Sequence, residues 1–466
     1  MSYQSPFTTR YASNEMRAIW SEIAKRRAWR RVWVCVAEAQ TAAGLISAEQ
    51  MDDLRSQEEN IDLKRAAEIE GEIGHDLVAE LRTFAEQSLS GGAVLHWGLT
   101  SADVQDNAEI LRQKAALALL LDRLRSGLLA FAARIEETHD LPVLGYTHLQ
   151  PAEPTTLGYR LAGYAQDLNN HFDHLLRLHK LLRGKGIRGA VGTAGPFTDM
   201  LKHNDVTPEM LEATVMKSLG FEAHLITSQT YPRSQDYDLV SALGGLAASL
   251  HKVAFDMRLM QSPGFSVLQE PFGSEQVGSS AMPFKRNPIG AEKICSLARE
   301  VSAWTQVAWN NAANQLLERT LDDSANRRSM LPEIFLASDE MLITLIDLIG
   351  EFTVDDQARG KLLAEHGPFL ALERVLTLAV QAGGDRQKIH EKLRKHSMKA
   401  IKALQKGRAN PLVDLVAKDQ LILKYLQPAR IKVLLDSTTY TGLASQRALE
   451  LANRIRSRFN PPPKEK

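Results

Sequence analysis

VQDNAEILRQKAALALLLDRLRSGLLAFAARIEETHD, Val104 to Asp140, decides the architecture. Apolar residues recur at three- and four-residue steps from Val104 to Ile135, the period of one helix face, without interruption. Four further segments repeat the pattern. Leu157–Leu182 carries it on Leu161, Tyr164, Leu168, Phe172, Leu175 and Leu182, and Tyr237–Met260 on Leu239, Leu243, Leu246, Leu250, Val253 and Met257. The others are Ile289–Leu317 and Met330–Ile349. These lengths exceed the ordinary helix of about 11–12 residues, so they predict a long bundle. Alternating β-branched runs are nearly absent, and the class expected is all-α. Stretches such as SALGGLAASLHK are apolar or small on several sides, which requires burial on most sides and predicts a homo-oligomer.

Glycine- and proline-rich stretches separate the helices: GYTHLQPAEPTT, GKGIRGAVGTAGPF, EPFGSEQVGSSAMPFKRNP and EHGPF. With the preceding EFTVDDQARGK, the last of these marks a boundary to a smaller helical C-terminal domain. The divisions expected are 1–104, 105–352 and 353–466, and the tail NPPPKEK is expected to be disordered.

The chain has 466 residues, with Lys+Arg and Asp+Glu equal at 56 each. A neutral balance argues against nucleic acid or an anionic membrane as the main partner. Two cysteines, Cys35 and Cys295, offer no disulfide framework and fit a reducing compartment. The N-terminus lacks the apolar segment of a signal peptide, and the longest apolar run, Ala115–Leu121, is far short of the ~20 residues of a membrane span. A cytoplasmic location is expected.

GSSAMPFKRNP, Gly278 to Pro288, stands apart from the helices around it. Asn287–Pro288 reads as a helix start, with Asn as the cap and Pro at the first helical position. The positive end of that helix lies beside Lys285 and Arg286, a combination that suits an anion. A serine near a lysine can have its alkoxide stabilised, so Ser279 is a candidate base or nucleophile. The Lys-Arg-Asn-Pro piece alone is equally an ordinary capped helix after a solvated loop.

The whole eleven-residue stretch resembles the signature of the fumarase/aspartase superfamily, whose members break a C–N or C–O bond and release fumarate. Further stretches, in order, are similar to the adenylosuccinate lyase family: TRYAS, GHDLVAE from Gly74, HWGLTSADVQDN from His96, GYTHLQPAEPTT from Gly145, SQTYPR from Ser228 and ERTLDDSANRR from Glu318. After Arg328 the likeness thins to STTYTG, Ser437–Gly442. The resemblance implies a three-domain, all-helical subunit, a twenty-helix core in a homotetramer, and active sites shared between subunits. It implies loss of fumarate from adenylosuccinate to give AMP, and from succinylaminoimidazole-carboxamide ribotide, with no cofactor and no metal.

That chemistry needs a base for a weakly acidic C–H, an acid for the departing nitrogen, and fixed positive charge where the carboxylate gains electrons. The resemblance places Ser279 as base, His148 as general acid, Glu292 as the partner of that histidine and Lys285 as the charge stabiliser, with Asn287 on the succinyl carboxylate. It makes His75 the second active-site histidine, with Asp76 beside it. Thr100 and Ser101 fall to the fumaryl carboxylate, and Thr147 to the substrate. Arg10, Tyr11, Ser324 and Arg328 fall to phosphate and ribose, and Gln229 and Arg319 to the succinyl or base portion. Two positions depart from the family: Gly74 stands where a basic residue is common, and Lys293 where an arginine is expected. Lysine keeps the charge and loses the two-pronged geometry.

The rivals are another superfamily lyase or a carboxymuconate cycloisomerase, and a catalytically silent helical homologue. Other signals have plainer readings. His171 and His174 share a helix face with His179 nearby but lack a clear third metal ligand. RRAWRRVW, Arg26–Trp33, reads as one solvated basic face and one buried aromatic face rather than a nucleic-acid site. KLRKHSMKAIKALQKGR reads as a solvated basic helix.

Overall fold

A computed structural model describes residues 3–460, so most of the proline-rich tail lies outside the described residues. Among the described residues the regular structure is helical apart from two short antiparallel two-stranded sheets and one isolated bridge, Gly184 to Ala223. Helix α1 spans Glu22–Ala42 and α2 spans Asp76–Gln87. The five periodic segments form α3 (Ser101–Thr138), α4 (Leu157–Leu181), α5 (Ser234–Gln261), α6 (Ile289–Ala313) and α7 (Asp322–Glu351). At 38 residues, α3 is about 57 Å long. Helix α7 starts eight residues before its apolar period, because Asp322 and Asp323 favour a helix N-terminus and DDSANRR is drawn into its first turns.

Two compact units are present. The first comprises 1–124, 171–248 and 296–343, and the second 125–170, 249–295 and 344–466, so the division falls within the long helices. In the first unit α1 buries Val32, Trp33, Val34 and Cys35. Its basic-aromatic stretch differs from the expected two faces. Arg26 and Arg30 are buried, at 5% and 0% exposure, while Arg27 and Arg31 reach solvent. The reason is long-range: Glu80 on α2 meets Arg30 Nε at 2.7 Å, and Arg30 also donates to the Gln57 and Asn60 carbonyls. Arg26 donates to the Asp76 carbonyl at 2.9 Å, which ties the start of α2 to α1.

In the second unit, GYTHLQPAEPTT is mostly strand rather than turn. β1 (Pro142–Thr147) pairs with β2 (Gln150–Thr156), leaving only His148 and Leu149 as the connection. Three prolines, Pro142, Pro151 and Pro154, hide this in the sequence; a two-stranded ribbon consists of edges, where proline is tolerated. β3 (Leu268–Gln269) pairs with β4 (Thr353–Val354). EHGPF is not a break either. Helix α8, Asp356–Leu370, runs through it with Pro368 inside, and a side chain on Gly367 would lie 2.1 Å from Ser437 Oγ. The C-terminal core gathers Val375, Ile389, Leu393, Leu412, Val416, Ile422 and Ile431.

Candidate active site

The loop between β3 and α6 folds back on itself. A side chain at Gly278 would sit 2.1 Å from the Lys285 carbonyl oxygen, so only glycine permits that approach. Asn287 Nδ2 donates to the Gly278 carbonyl at 3.1 Å, and the Met282 N–H donates to Ser279 Oγ at 3.1 Å. Ser279, Lys285 and Asn287 are thereby brought into one closed loop whose only secondary structure is turn and bend. Ser279 is half-buried and Lys285 exposed.

Asn287 does not cap α6 as expected. The N–H groups of Gly290 and Ala291 donate to Glu270, at 3.0 and 2.8 Å, so a carboxylate already occupies the positive end of the helix. A charged acceptor outcompetes an amide there, which frees Asn287 to close the loop. Burial pushes the Glu270 carboxyl up, against the pull of those two N–H groups.

His148 occupies the tip of the β1–β2 ribbon. His148 and Leu149 have φ of 53° and 57°, the left-handed pattern of a two-residue type I′ turn. Neither is the Asn or Gly that such turns favour, and Leu149 is 60% exposed. Strain of this kind concentrates where a side chain must be held in a particular place. Converting His148–Leu149 to Asn–Gly should therefore stabilise the chain by about 1–2 kcal/mol. The midpoint of urea unfolding measures it, and a lower midpoint would mean that Leu149 packing outweighs the strain. Thr147 is the residue before the tip and pairs with Gln150. Glu292 lies 3.7 Å from Arg258, so within the chain its ionic partner is this arginine and not His148. Lys293 follows it, partly buried.

The first unit holds the other predicted residues. His75 is the N-cap of α2: the Val78 N–H donates to its Nδ1 at 3.4 Å, leaving Nε2 for another partner. Asp76 is buried and meets Arg328 Nη2 at 2.8 Å. Burial raises the Asp76 carboxyl, but Arg328 and the Leu77 N–H outweigh it and hold the group below its ordinary range, with Lys25 adding to their effect. Thr100 precedes α3 and its N–H donates to Asp103; Ser101 is the first residue of that helix. Gln229 donates its N–H to the Glu318 carbonyl. Arg10 is exposed, its guanidinium 5.8 Å from the Tyr11 ring. The neighbouring Ala12 and Ser13 N–H groups are anchored on Glu340 and Asp339.

Asp76, Arg319, Ser324 and Arg328 line one cavity of about 190 Å³. Of its other cations, Arg233 and Arg327 lie within the quoted motifs, while the residue patterns did not single out Lys25 and Arg112. Each sits three residues from an acid, Glu22 and Glu109, a spacing shared with countless solvated helices. Part of the cavity wall is a largely buried ionic lattice. Arg233 meets both oxygens of Asp106 at 3.0 and 3.1 Å and Asp323 at 2.8 Å. Arg327 meets Asp236 and the Tyr231 hydroxyl, each at 2.8 Å, and Arg319 meets Asp323 at 3.0 Å. Three arginines and three aspartates balance, as burial of charge requires. Every cation facing the cavity is thus already paired. Arg328, with its side chain 56% exposed, is the one whose partner an incoming anion displaces most cheaply.

Among the described residues, no group of three or more His, Cys, Asp or Glu is placed to hold a metal ion. No helix among them is long and apolar enough to cross a membrane.

The sequence matches the family described as "Lyase" over residues 7–303 and "Adenylosuccinate lyase C-terminus" over residues 368–449. It is 38% identical to an adenylosuccinate lyase of Schistosoma mansoni across 90% of this chain and 88% of that protein. It is 34% identical to one of Saccharomyces cerevisiae across 96% and 93%. Identity to one of Archaeoglobus fulgidus is 32%, across 95% and 96%. Among solved structures, a fumarate lyase from Mesorhizobium sp. BNC1 superposes with a TM-score of 0.83 at 22% identity, covering 97% of this chain and 100% of that one. A 3-carboxy-cis,cis-muconate lactonizing enzyme from Pseudomonas putida gives 0.85 at 23% identity, covering 96% and 99%. The structural likenesses speak for the fold, while the full-length sequence likenesses narrow the group: the chain belongs to the adenylosuccinate lyase family of helical lyases.

Proposed function

We propose that the chain cleaves adenylosuccinate to AMP and fumarate, and succinylaminoimidazole-carboxamide ribotide to its carboxamide and fumarate. The observation that carries this is likeness to adenylosuccinate lyases over nine-tenths of the chain or more, at 32–38% identity. The separate C-terminal match favours it over a carboxymuconate cycloisomerase of the same fold.

In this reading Ser279 Oγ, as the alkoxide, takes the proton from the succinyl carbon. The electron pair moves onto the adjacent carboxylate, where Lys285 and Asn287 meet it. The C–N bond then breaks as His148 gives its proton to the leaving nitrogen, and fumarate and the amino-purine depart. Arg328 turns from Asp76 to the phosphate, Lys25 compensates Asp76, and Ser324, Arg10 and Tyr11 complete the phosphate and ribose contacts. His75, Thr100 and Ser101 hold the far carboxylate. Thr147, Gln229, Lys293 and Arg319 contact the rest of the substrate.

A homotetramer with shared active sites belongs to the same proposal. The strained His148 tip is exposed, and so are Phe255 on α5 and Trp309 on α6, at 52% and 49%. A neighbouring subunit would cover them and bring a His148 to a Glu292. The three-domain division at 104 and 352 and a cytoplasmic location are also part of this reading. Offered adenylosuccinate, argininosuccinate and carboxymuconate separately, the purified protein should consume only the first, followed by absorbance. Consumption of either of the others alone would replace the proposal.

A further inference from the structure

The loop that carries Ser279 leaves the fold at Glu270 and re-enters it at Gly290. Four hydrogen bonds close that base, and two side chains make all of them. The Glu270 N–H donates to Gln261 Oε1 at 2.9 Å, and Gln261 Nε2 donates to the Arg286 carbonyl at 3.0 Å. Glu270 in turn receives the N–H groups of Gly290 and Ala291, at 3.0 and 2.8 Å. Gln261 is the last residue of α5, and Glu270 directly follows β3. The seat has no spare room. A side chain at Gly290 would lie 3.2 Å from Glu270 Oε2 and 3.0 Å from Leu348 Cδ2. Between these fixed ends the loop shows the opposite character, with Val277 79% and Phe284 83% exposed.

We propose that Gln261 and Glu270 are positioning residues, a clasp that fixes the base of the loop so that Lys285 to Asn287 stay in register while the apex with Ser279 moves. This rests on the reading of the loop as catalytic. The clasp acts on both ends at once. Gln261 holds the outgoing end by Glu270 and the returning end by Arg286, and Glu270 joins the outgoing end to the first turn of α6. The charged groups that face the Glu270 carboxylate are Glu292 and Lys293, both on α6, while α5 and α7 present the neutral Gln261 and Leu348. Its negative charge is therefore held by helix N–H groups and Lys293 against Glu292, and a neutral isostere keeps the shape without that hold.

The test combines turnover with limited trypsin digestion at the exposed Lys285 and Arg286. Glu270→Gln and Gln261→Ala should each lower kcat about tenfold with little change in KM, because misplacement of a reacting group costs rate more than binding. Both should speed cleavage at Lys285–Arg286 several-fold with helix content unchanged. The double variant should be little worse than the poorer single one, because a base that has opened once cannot open again. Wild-type cleavage rates and kcat in both single variants, or losses that multiply in the double variant, would overturn the clasp. Gln261→Ala leaves the Glu270 seat intact and decides the matter if Glu270→Gln does not assemble. Digestion reads the clasp even if Ser279 proves not to be the base, so the two failures are distinguishable.

Discussion

Ser279→Ala lowers kcat about 10²–10⁴-fold with a small change in KM, read as fumarate released per second at saturating substrate. The size follows from what the hydroxyl is asked to do: take a proton from carbon beside a carboxylate, a step for which the loop offers no second base in the same place. Among the described residues, Ser279 Oγ accepts a hydrogen bond from the Met282 N–H. Its loss costs about 0.5–1.5 kcal/mol at most, in an open loop, so folding and assembly remain. Ser280→Ala is the control. Its side chain is exposed one residue further on, and its kcat should stay near that of the wild type. If kcat of Ser279→Ala stays within tenfold of the wild type, the base lies elsewhere.

The largest stability effect is expected at Asp106. Asp106→Ala should cost about 3–5 kcal/mol, measured from the midpoint of denaturant unfolding. Arg233 is buried with two of its three nitrogens on Asp106, which also accepts the Tyr231 N–H at 2.9 Å. Deleting the carboxylate leaves two guanidinium nitrogens and an amide without that acceptor at a nearly buried place, while Asp323 still holds Arg233 Nε. Replacing both partners, Asp106→Leu with Arg233→Met, should recover much of the loss, because no unpaired charge then remains. Loss of the double variant equal to or greater than that of Asp106→Ala would show that the lattice contributes net stability. Acid should act on the same lattice. Burial raises the Asp236 carboxyl, but Arg327 and Arg233 hold it below its ordinary value. Its contribution is therefore complete above the ordinary carboxylate range, about pH 3.9, and is lost as pH falls through the depressed folded value.

Val104 to Ile135 needed nothing beyond itself to be read as a helix. Backbone bonds between residues four apart and an apolar stripe every three or four residues are local properties. The other long helices followed for the same reason, and so did the loop from Gly278, whose glycine, serines and cations stand out against helical neighbours. The ordered motifs likewise pointed to the family.

Features that depend on partners far along the chain were not legible. Asn287–Pro288 is a sound helix start, yet Glu270, twenty residues before Gly290, takes the donors, because a carboxylate beats an amide for the same N–H groups. Arg26 and Arg30 look like solvated cations until Glu80 and the Asp76 carbonyl are placed beside them. The prolines of GYTHLQPAEPTT and EHGPF signal breaks by their own geometry. Pairing of β1 with β2, and packing of Gly367 against Ser437, carry strand and helix through them. Periodicity and motif order, which the chain writes locally, settled the helices and the family. Which charge meets which carboxylate, and which donor an acid finds first, was decided only by tertiary packing, where burial makes every unpaired polar group costly.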